Sequence, residues 1–128
     1  RKLRKFFKNM INNKKANYKN DLSYKFDELE KILFLTKKLS IKNQSQLYFV
    51  YLQSNRYFNN EVLKKNDLRY FDKIKSIVEK LEIKFIDIHK EVFEKEQNPL
   101  ELFPFGMYGH YSVEGYKKVA ESIYNATK

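Results

Sequence analysis

Two short apolar runs, separated by a segment long enough for a helix, constrain the fold more than any other feature of the sequence. The runs are LYFVYL at Leu47–Leu52 and IKFIDI at Ile83–Ile88. Each is too short for a helix and rich in residues that favour strands, and continuous apolar runs are typical of parallel strands covered on both faces. The pattern therefore predicts a βαβ unit with parallel strands and a right-handed crossover.

Helices are predicted around these strands from apolar residues that recur at helical spacing. The first spans Asp21–Leu39, with Asp21 as its N-cap. The central helix follows Asp67 as its N-cap, and residues 53–66 are predicted as a loop or a loop with one helical turn. The last helix follows Ser112 as its N-cap and buries a stripe formed by Val113, Tyr116, Ala120 and Ile123.

The predicted element order is α-α-β-α-β-loop-α, which indicates an α/β fold with helices on the faces of a parallel sheet. The length of 128 residues suits a single α/β domain or a fragment of one. Two strands make a poor sheet by themselves. We therefore expect further strands to come from sequence outside this chain or from a partner.

The positive charge is concentrated in one segment, although the net charge of +10 suggests nucleic-acid binding at first sight. Residues 1–20 carry eight Lys or Arg and no acidic residue, whereas the remaining 108 carry 18 basic and 16 acidic residues. The pattern RKLRKFFKNMI predicts a basic amphipathic helix followed by a polar loop. It suits either an ordinary packed helix or an arm that binds nucleic acid or an anionic surface. Because the body is nearly neutral, nucleic acid is not the partner we favour.

The sequence lacks the signatures of several classes of protein. The chain contains no cysteine, which removes disulfides and thiolate chemistry but leaves the compartment undecided. It has no apolar run of membrane-spanning length and no segment like the apolar core of a signal peptide, so the localisation is unknown and cytoplasmic only by default. The motifs GxxxxGK[ST], GxGxxG and GxSxG are absent. Two histidines 21 residues apart make a poor metal site, so neither a metal nor a cofactor is expected.

All three glycines cluster around one histidine in FPFGMYGHYSVEGYKKVAESIY, at Phe103–Tyr124. His110 lies in the loop after the second predicted strand, two residues before the Ser112 cap. In open α/β sheets, reactive groups lie in loops beyond the carboxyl ends of the strands. An imidazole there can act as a general base. The alternative interpretation is a histidine that merely caps or packs at the start of a helix.

The block GHYSVEGYKKVAESI resembles the C-terminal block of SGNH (GDSL-type) hydrolases. In those enzymes a histidine precedes a small polar cap, a Gly–aromatic pair and an amphipathic terminal helix. LYFVYL, FIDIH and LFPFGMYGHY are similar to the sequence that leads up to that block, so the resemblance covers residues 46–128. It implies a three-layer α/β/α fold with a parallel, flavodoxin-like sheet, of which this chain is the C-terminal βαβ-α part. It also implies hydrolysis of an acyl ester by a serine nucleophile, with His110 as the general base.

The sequence departs from the family pattern in two ways. The family places an aspartate three residues before the histidine, where Met107 stands here. Asp87, Glu101 or a backbone carbonyl could orient the imidazole instead. The family's nucleophile and oxyanion-hole blocks precede the region of resemblance, yet no glycine occurs before Gly106.

The resemblance therefore predicts the C-terminal part of an SGNH-like serine esterase or acyl hydrolase whose nucleophile lies outside this chain. The 128 residues alone are not expected to be active. The upstream part of the same protein, or a second copy of the chain, would complete the sheet. Two alternatives stay open. One is a non-catalytic α/β module that binds nucleic acid or an anionic surface through its basic N-terminus, and the other is a purely structural fragment that pairs with itself.

Overall fold

The computed structural model describes residues 22–107 and 109–128, which form a mixed α/β fold that is mostly helical. The basic helix and loop predicted for residues 1–20, and the Asp21 N-cap, lie outside the described residues. The elements are α1 (Leu22–Lys42), β1 (Tyr48–Tyr51), α2 (Arg56–Asn59), α3 (Glu61–Lys80), β2 (Lys84–Asp87), α4 (Ile88–Glu91), three 3₁₀ turns (Phe93–Lys95, Pro99–Leu102, Pro104–Gly106) and α5 (Val113–Thr127).

β1 and β2 form a parallel pair, with Tyr48 opposite Lys84 and Tyr51 opposite Asp87. The helix α3 connects them, so the predicted parallel strand–helix–strand unit is confirmed. In the part of the chain that the structure describes, the sheet has these two strands alone.

Side chains alternate between the two faces of the strand pair, and each face carries its own hydrophobic cluster. On one face, Tyr48, Val50 and Ile86 pack with Val119 and Ile123 of α5. On the other face, Phe49 and Phe85 stack at 5.7 Å between ring centroids. They belong to a cluster that also holds Leu33 of α1 and Ile77 and Val78 of α3. Helices therefore pack against both faces of the strand pair.

The central helix begins earlier than predicted, because its N-cap is Asn60 and not Asp67. The Asn60 side-chain oxygen accepts hydrogen bonds from the backbone N–H groups of Val62 and Leu63 at 2.9 and 3.1 Å. Asparagine caps a helix as well as aspartate does, so an Asn-rich loop hides the true start. The short helix α2 precedes this cap directly, and residues 53–66 are mostly helical, whereas a loop or a loop with one helical turn was predicted.

The last helix has the predicted cap but a different buried face. The Ser112 hydroxyl accepts a hydrogen bond from Gly115 N at 3.1 Å, as predicted. The buried residues are Gly115 and Val119, whereas Val113 is 90% exposed and Tyr116 51% exposed. A Cβ at position 115 would lie 2.5 Å from the Leu102 carbonyl oxygen. The prediction is correct for Ile123, which packs in the cluster under α5, and wrong for Val113, Tyr116 and Ala120, which are exposed. The close approach of Gly115 to Leu102 turns the side of α5 that carries Gly115 and Val119 inwards.

Candidate functional site

The loop that carries His110 is fixed against the segment that directly follows β1. The Tyr111 hydroxyl donates a hydrogen bond to the Gln53 carbonyl at 2.6 Å. Asn55 Nδ2 donates to the Gly106 carbonyl at 3.2 Å, and its Oδ1 accepts a hydrogen bond from Asn59 at 2.6 Å. Gln53 and Asn55 are both buried. The loop is therefore held at the carboxyl end of the strand pair, where open α/β sheets place their sites.

Tyr111 is the main anchor of this loop. Its ring packs against Phe93 and Phe103 at centroid distances of 5.5 and 5.2 Å. Burial raises the pKa of the Tyr111 hydroxyl to about 12, with a smaller contribution from Tyr116. The hydroxyl therefore stays protonated near neutral pH and can keep donating its hydrogen bond to Gln53.

The loop is strained where it turns towards the histidine. Phe105 has a φ of 55° and is 92% exposed, and Gly106 follows with a φ of 65°. A bulky residue at positive φ costs free energy and is found where surrounding contacts hold the backbone. The Asn55 hydrogen bond to Gly106 supplies such a contact. Gly106 and Met107 border a cleft of about 680 Å³, whose other lining residues are Asn55, Arg56, Asn59, Asn60 and Leu63.

His110 itself is exposed, and within the described residues its side chain makes no hydrogen bond or ion pair. The backbone on its C-terminal side is fixed, because Ser112 N donates to the Leu102 carbonyl at 2.8 Å. The backbone beside His110 is therefore fixed, while its imidazole is free to contact other groups.

The acids predicted to orient His110 are engaged elsewhere. Asp87 caps α4 by accepting a hydrogen bond from Lys90 N at 3.3 Å. Glu101 accepts one from Asn98 at 3.2 Å. No hydrogen bond joins either carboxylate to His110 in the described part of the chain. Asp87 instead lies close enough to Tyr51 to help raise its pKa, although burial of Tyr51 and the charge of Asp67 contribute more.

Asp87 and His110 also border different depressions. Asp87 lines a groove of about 910 Å³ that runs along β2 between α3 and α5, and His110 does not line it. Charged residues of both signs surround this groove, including Lys75, Glu79 and Lys118. Among residues 22–107 and 109–128, no cluster of His, Cys, Asp or Glu could hold a metal ion.

The other histidine, His89, is the packed one, and sequence reasoning considered it only as a metal ligand. Its side chain is 19% exposed, and its Nε2 lies 3.5 Å from a Glu94 carboxylate oxygen. The ring meets Tyr57 edge to face at 4.6 Å and lies 5.8 Å from Phe58. Its Nδ1 is buried, and no described residue forms a hydrogen bond with it. The signal in the sequence that could have identified His89 is its position directly after the second strand. From that position in α4 its ring packs against α2.

None of the helices that the structure describes combines the length and the apolar character needed to cross a membrane.

Comparison of the chain with protein-family models, with curated proteins and with solved structures returns no match.

Proposed function

We propose that this chain is the C-terminal part of an SGNH-like serine esterase or acyl hydrolase, in which His110 is the general base. The observation that carries the proposal is an exposed imidazole on a loop anchored to the carboxyl end of a parallel strand. Catalytic groups of open α/β sheets lie at this edge. The serine nucleophile and the oxyanion hole belong to a part of the protein outside this chain.

The proposed reaction begins when the His110 imidazole takes the proton of the serine hydroxyl as its oxygen attacks the ester carbonyl. The imidazolium then returns the proton to the departing alkoxide, which leaves an acyl-enzyme for water to hydrolyse. This role needs a fixed backbone and a side chain free to contact both serine and substrate. The bonds of Tyr111 and Ser112 on one side, and of Gly106 on the other, support the first requirement.

The fold we propose for the whole enzyme is a three-layer α/β/α arrangement with a flavodoxin-like parallel sheet. Its support is the strand pair with a hydrophobic cluster on each face, one shared with α1 and α3 and one with α5. Parallel strands are normally covered on both faces in this manner.

The group that orients His110 is proposed to be a backbone carbonyl or a residue outside this chain. Met107 occupies the position of the usual aspartate, and the Asp87 carboxylate caps α4 and faces the groove along β2. A Ser–His pair can function without the third residue, although more slowly.

The test is hydrolysis of p-nitrophenyl acetate by the full-length polypeptide, combined with labelling by a fluorophosphonate probe. Replacing His110 with Ala is expected to lower kcat by about 10³-fold or more while the melting temperature stays the same. Met107→Ala, an exposed position in the same loop, is the matched control and is expected to keep most of the activity. Full activity and probe labelling in His110→Ala would refute the role of His110.

A further inference from the structure

We propose that the cleft beside the His110 loop binds a hydroxyl-rich alcohol, so that the substrate is an acyl ester of a sugar. This amide cleft, of about 680 Å³, is bordered by Asn55, Arg56, Asn59, Asn60, Leu63, Gly106 and Met107. Small-molecule sites in proteins have volumes of about 300–1,000 Å³, so the cleft can hold a sugar ring. The inference rests on the proposed function and names the substrate class of the same site.

The side-chain amide of Asn59 has a fixed orientation in the cleft. Asn55 is buried, and its Nδ2 donates a hydrogen bond to the Gly106 carbonyl at 3.2 Å. The Asn55 Oδ1 is then left to accept, and Asn59 Nδ2 donates to it at 2.6 Å. The Asn59 Oδ1 forms no hydrogen bond with any described residue. Asn59 therefore presents an oriented hydrogen-bond acceptor to a ligand.

Asn60 has the opposite orientation. Its Oδ1 accepts hydrogen bonds from the backbone N–H groups of Val62 and Leu63 at 2.9 and 3.1 Å. Because backbone N–H groups can only donate, the Asn60 oxygen must face the start of α3, and its Nδ2 faces away from it. Within the described part of the chain, this Nδ2 has no hydrogen-bond partner. Two adjacent residues thus border the cleft with one acceptor and one donor.

The paired acceptor and donor favour a hydroxyl-bearing ligand. A hydroxyl group both donates and accepts, so it can bond to Asn59 Oδ1 and to Asn60 Nδ2. A carboxylate or phosphate only accepts, and the Asn59 oxygen would repel it. An alkyl chain would bury both amides without replacing their bonds to water, which costs free energy. Arg56, which also borders the cleft, can donate to further hydroxyl oxygens.

Phe105 supplies an aromatic surface next to the same cleft. It directly precedes Gly106, its φ is 55°, and its side chain is 92% exposed. Within the described residues, its ring packs against no other aromatic ring. A phenylalanine that combines positive φ with an exposed ring contributes little to folding, and such strain is concentrated at functional sites. The apolar C–H face of a sugar ring can cover an exposed aromatic ring of this kind.

The position of the amide cleft suits the alcohol part of the ester. In the proposed reaction, the His110 imidazolium gives its proton to the departing alkoxide. Met107 borders the cleft and lies three residues before His110 in the same loop. A sugar held in the cleft would therefore leave from a place beside the group that protonates it.

The experiment measures acetate release by the full-length polypeptide from two sugar acetates and from a ring analogue without hydroxyl groups. The sugar esters are methyl 6-O-acetylglucoside and methyl 6-O-acetylgalactoside, and the analogue is cyclohexylmethyl acetate. We expect kcat/KM for at least one sugar ester to exceed that for the analogue by about 100-fold or more, because a site that hydrogen-bonds a hydroxyl rejects analogues that lack it.

Three variants test the residues that carry this preference. Asn60→Asp keeps the cap on α3 but cannot donate, and it is expected to lower the ratio of the two kcat/KM values by about tenfold or more, mainly through KM. Phe105→Gly is expected to lower the ratio by about fivefold without lowering the melting temperature, because glycine adopts positive φ without strain. Tyr124→Ala removes another exposed aromatic residue, on α5, and is the matched control that should leave the ratio unchanged.

Binding of the two methyl glycosides to the His110→Ala full-length polypeptide, followed by NMR, separates this inference from the proposed function. Hydrolysis that depends on His110, with equal kcat/KM for the sugar esters and the analogue, would reject the amide cleft but keep the proposed function. Glycoside binding that Asn60→Asp weakens, without ester hydrolysis by the unaltered protein, would support the cleft and reject the proposed function. Tighter binding of inorganic phosphate than of either glycoside would make the cleft an anion site and overturn the inference.

Discussion

The two histidines of this chain occupy opposite environments, although each lies in a segment that follows β2. His89 is packed between Tyr57, Phe58 and the Glu94 carboxylate. His110 is exposed, and the described residues around it fix its backbone but not its imidazole. The side chain of His89 thus has its contacts within the described part of this chain.

This contrast makes the exposed His110, and not the packed His89, the better candidate for a catalytic residue. A histidine that holds α2 against α4 contributes to stability within this chain. A histidine on an anchored loop, with its ring free, is suited to the general-base role that we propose for His110. Five substitutions, one pair of them compared directly, test these two roles, and they follow in order of decreasing expected effect.

Gly115→Ala tests how tightly the His110 loop is held against α5. The added Cβ would lie 2.5 Å from the Leu102 carbonyl oxygen and 3.0 Å from the Tyr111 Cβ. We expect a loss of about 2 kcal/mol of unfolding free energy in urea, even though alanine favours helix by about 1 kcal/mol over glycine. A gain in stability would show that the Leu102 backbone shifts freely and that the loop is not rigidly anchored.

The paired variants His89→Ala and His110→Ala test the contrast directly. His89→Ala removes the ring contacts with Tyr57 and Phe58 and is expected to cost about 1–2 kcal/mol. His110→Ala removes an exposed side chain and is expected to change stability by less than about 0.5 kcal/mol. Chemical denaturation of the two variants measures both. Equal losses of unfolding free energy in the two variants would contradict the distinction between a packed His89 and an exposed His110.

Tyr111→Phe tests the anchor of the loop at the residue next to His110. Loss of the hydrogen bond to the Gln53 carbonyl is expected to cost about 1 kcal/mol below pH 10.

The same tyrosine predicts a pH dependence with a definite sign. The folded pKa of Tyr111, about 12, lies above the ordinary tyrosine pKa of 10.0, so the unfolded chain loses this proton first. Stability from this group is complete below pH 10 and is lost as the pH rises towards 12. The alkaline loss should be smaller in Tyr111→Phe than in the unaltered chain, when both are followed by thermal unfolding between pH 9 and 12. Identical profiles would contradict the burial of this hydroxyl.

Asp87→Asn is expected to have the smallest effect. Asparagine preserves the cap on Lys90 N, and no hydrogen bond joins Asp87 to His110. Ester hydrolysis by the full-length polypeptide should fall by less than about tenfold. A loss near 10⁴-fold, as expected on removing an orienting aspartate, would make Asp87 the partner of His110.

Local signals in the sequence predicted the strands, their parallel pairing and the Ser112 cap. Leu47–Leu52 and Ile83–Ile88 were recognisable because apolar strand-forming runs are short and continuous. The start of α3 was missed because the segment QSNRYFNN contains several residues that could cap a helix, Asn60 among them. The local sequence does not show which of these residues is the N-cap, because the start of the helix depends on where the helix packs.

The buried side of α5 could not be predicted from periodicity alone. The predicted stripe of Val113, Tyr116, Ala120 and Ile123 follows helical spacing, yet only Ile123 packs in the core, whereas Val113 and Tyr116 are exposed. The actual choice depends on the approach of Gly115 to Leu102, a contact between distant parts of the chain. The site was predictable to the same extent: His110 follows from its position after a strand, whereas Tyr111 and Asn55 emerge as its anchors from tertiary hydrogen bonds alone.

The uncharged stretch around β1 has a consequence for aggregation of the chain. Leu47–Leu52 is a six-residue segment of high strand propensity without charge, proline or glycine, which is the composition of segments that stack into cross-β fibrils. Unfolding that exposes this segment is therefore expected to favour amyloid-like assembly.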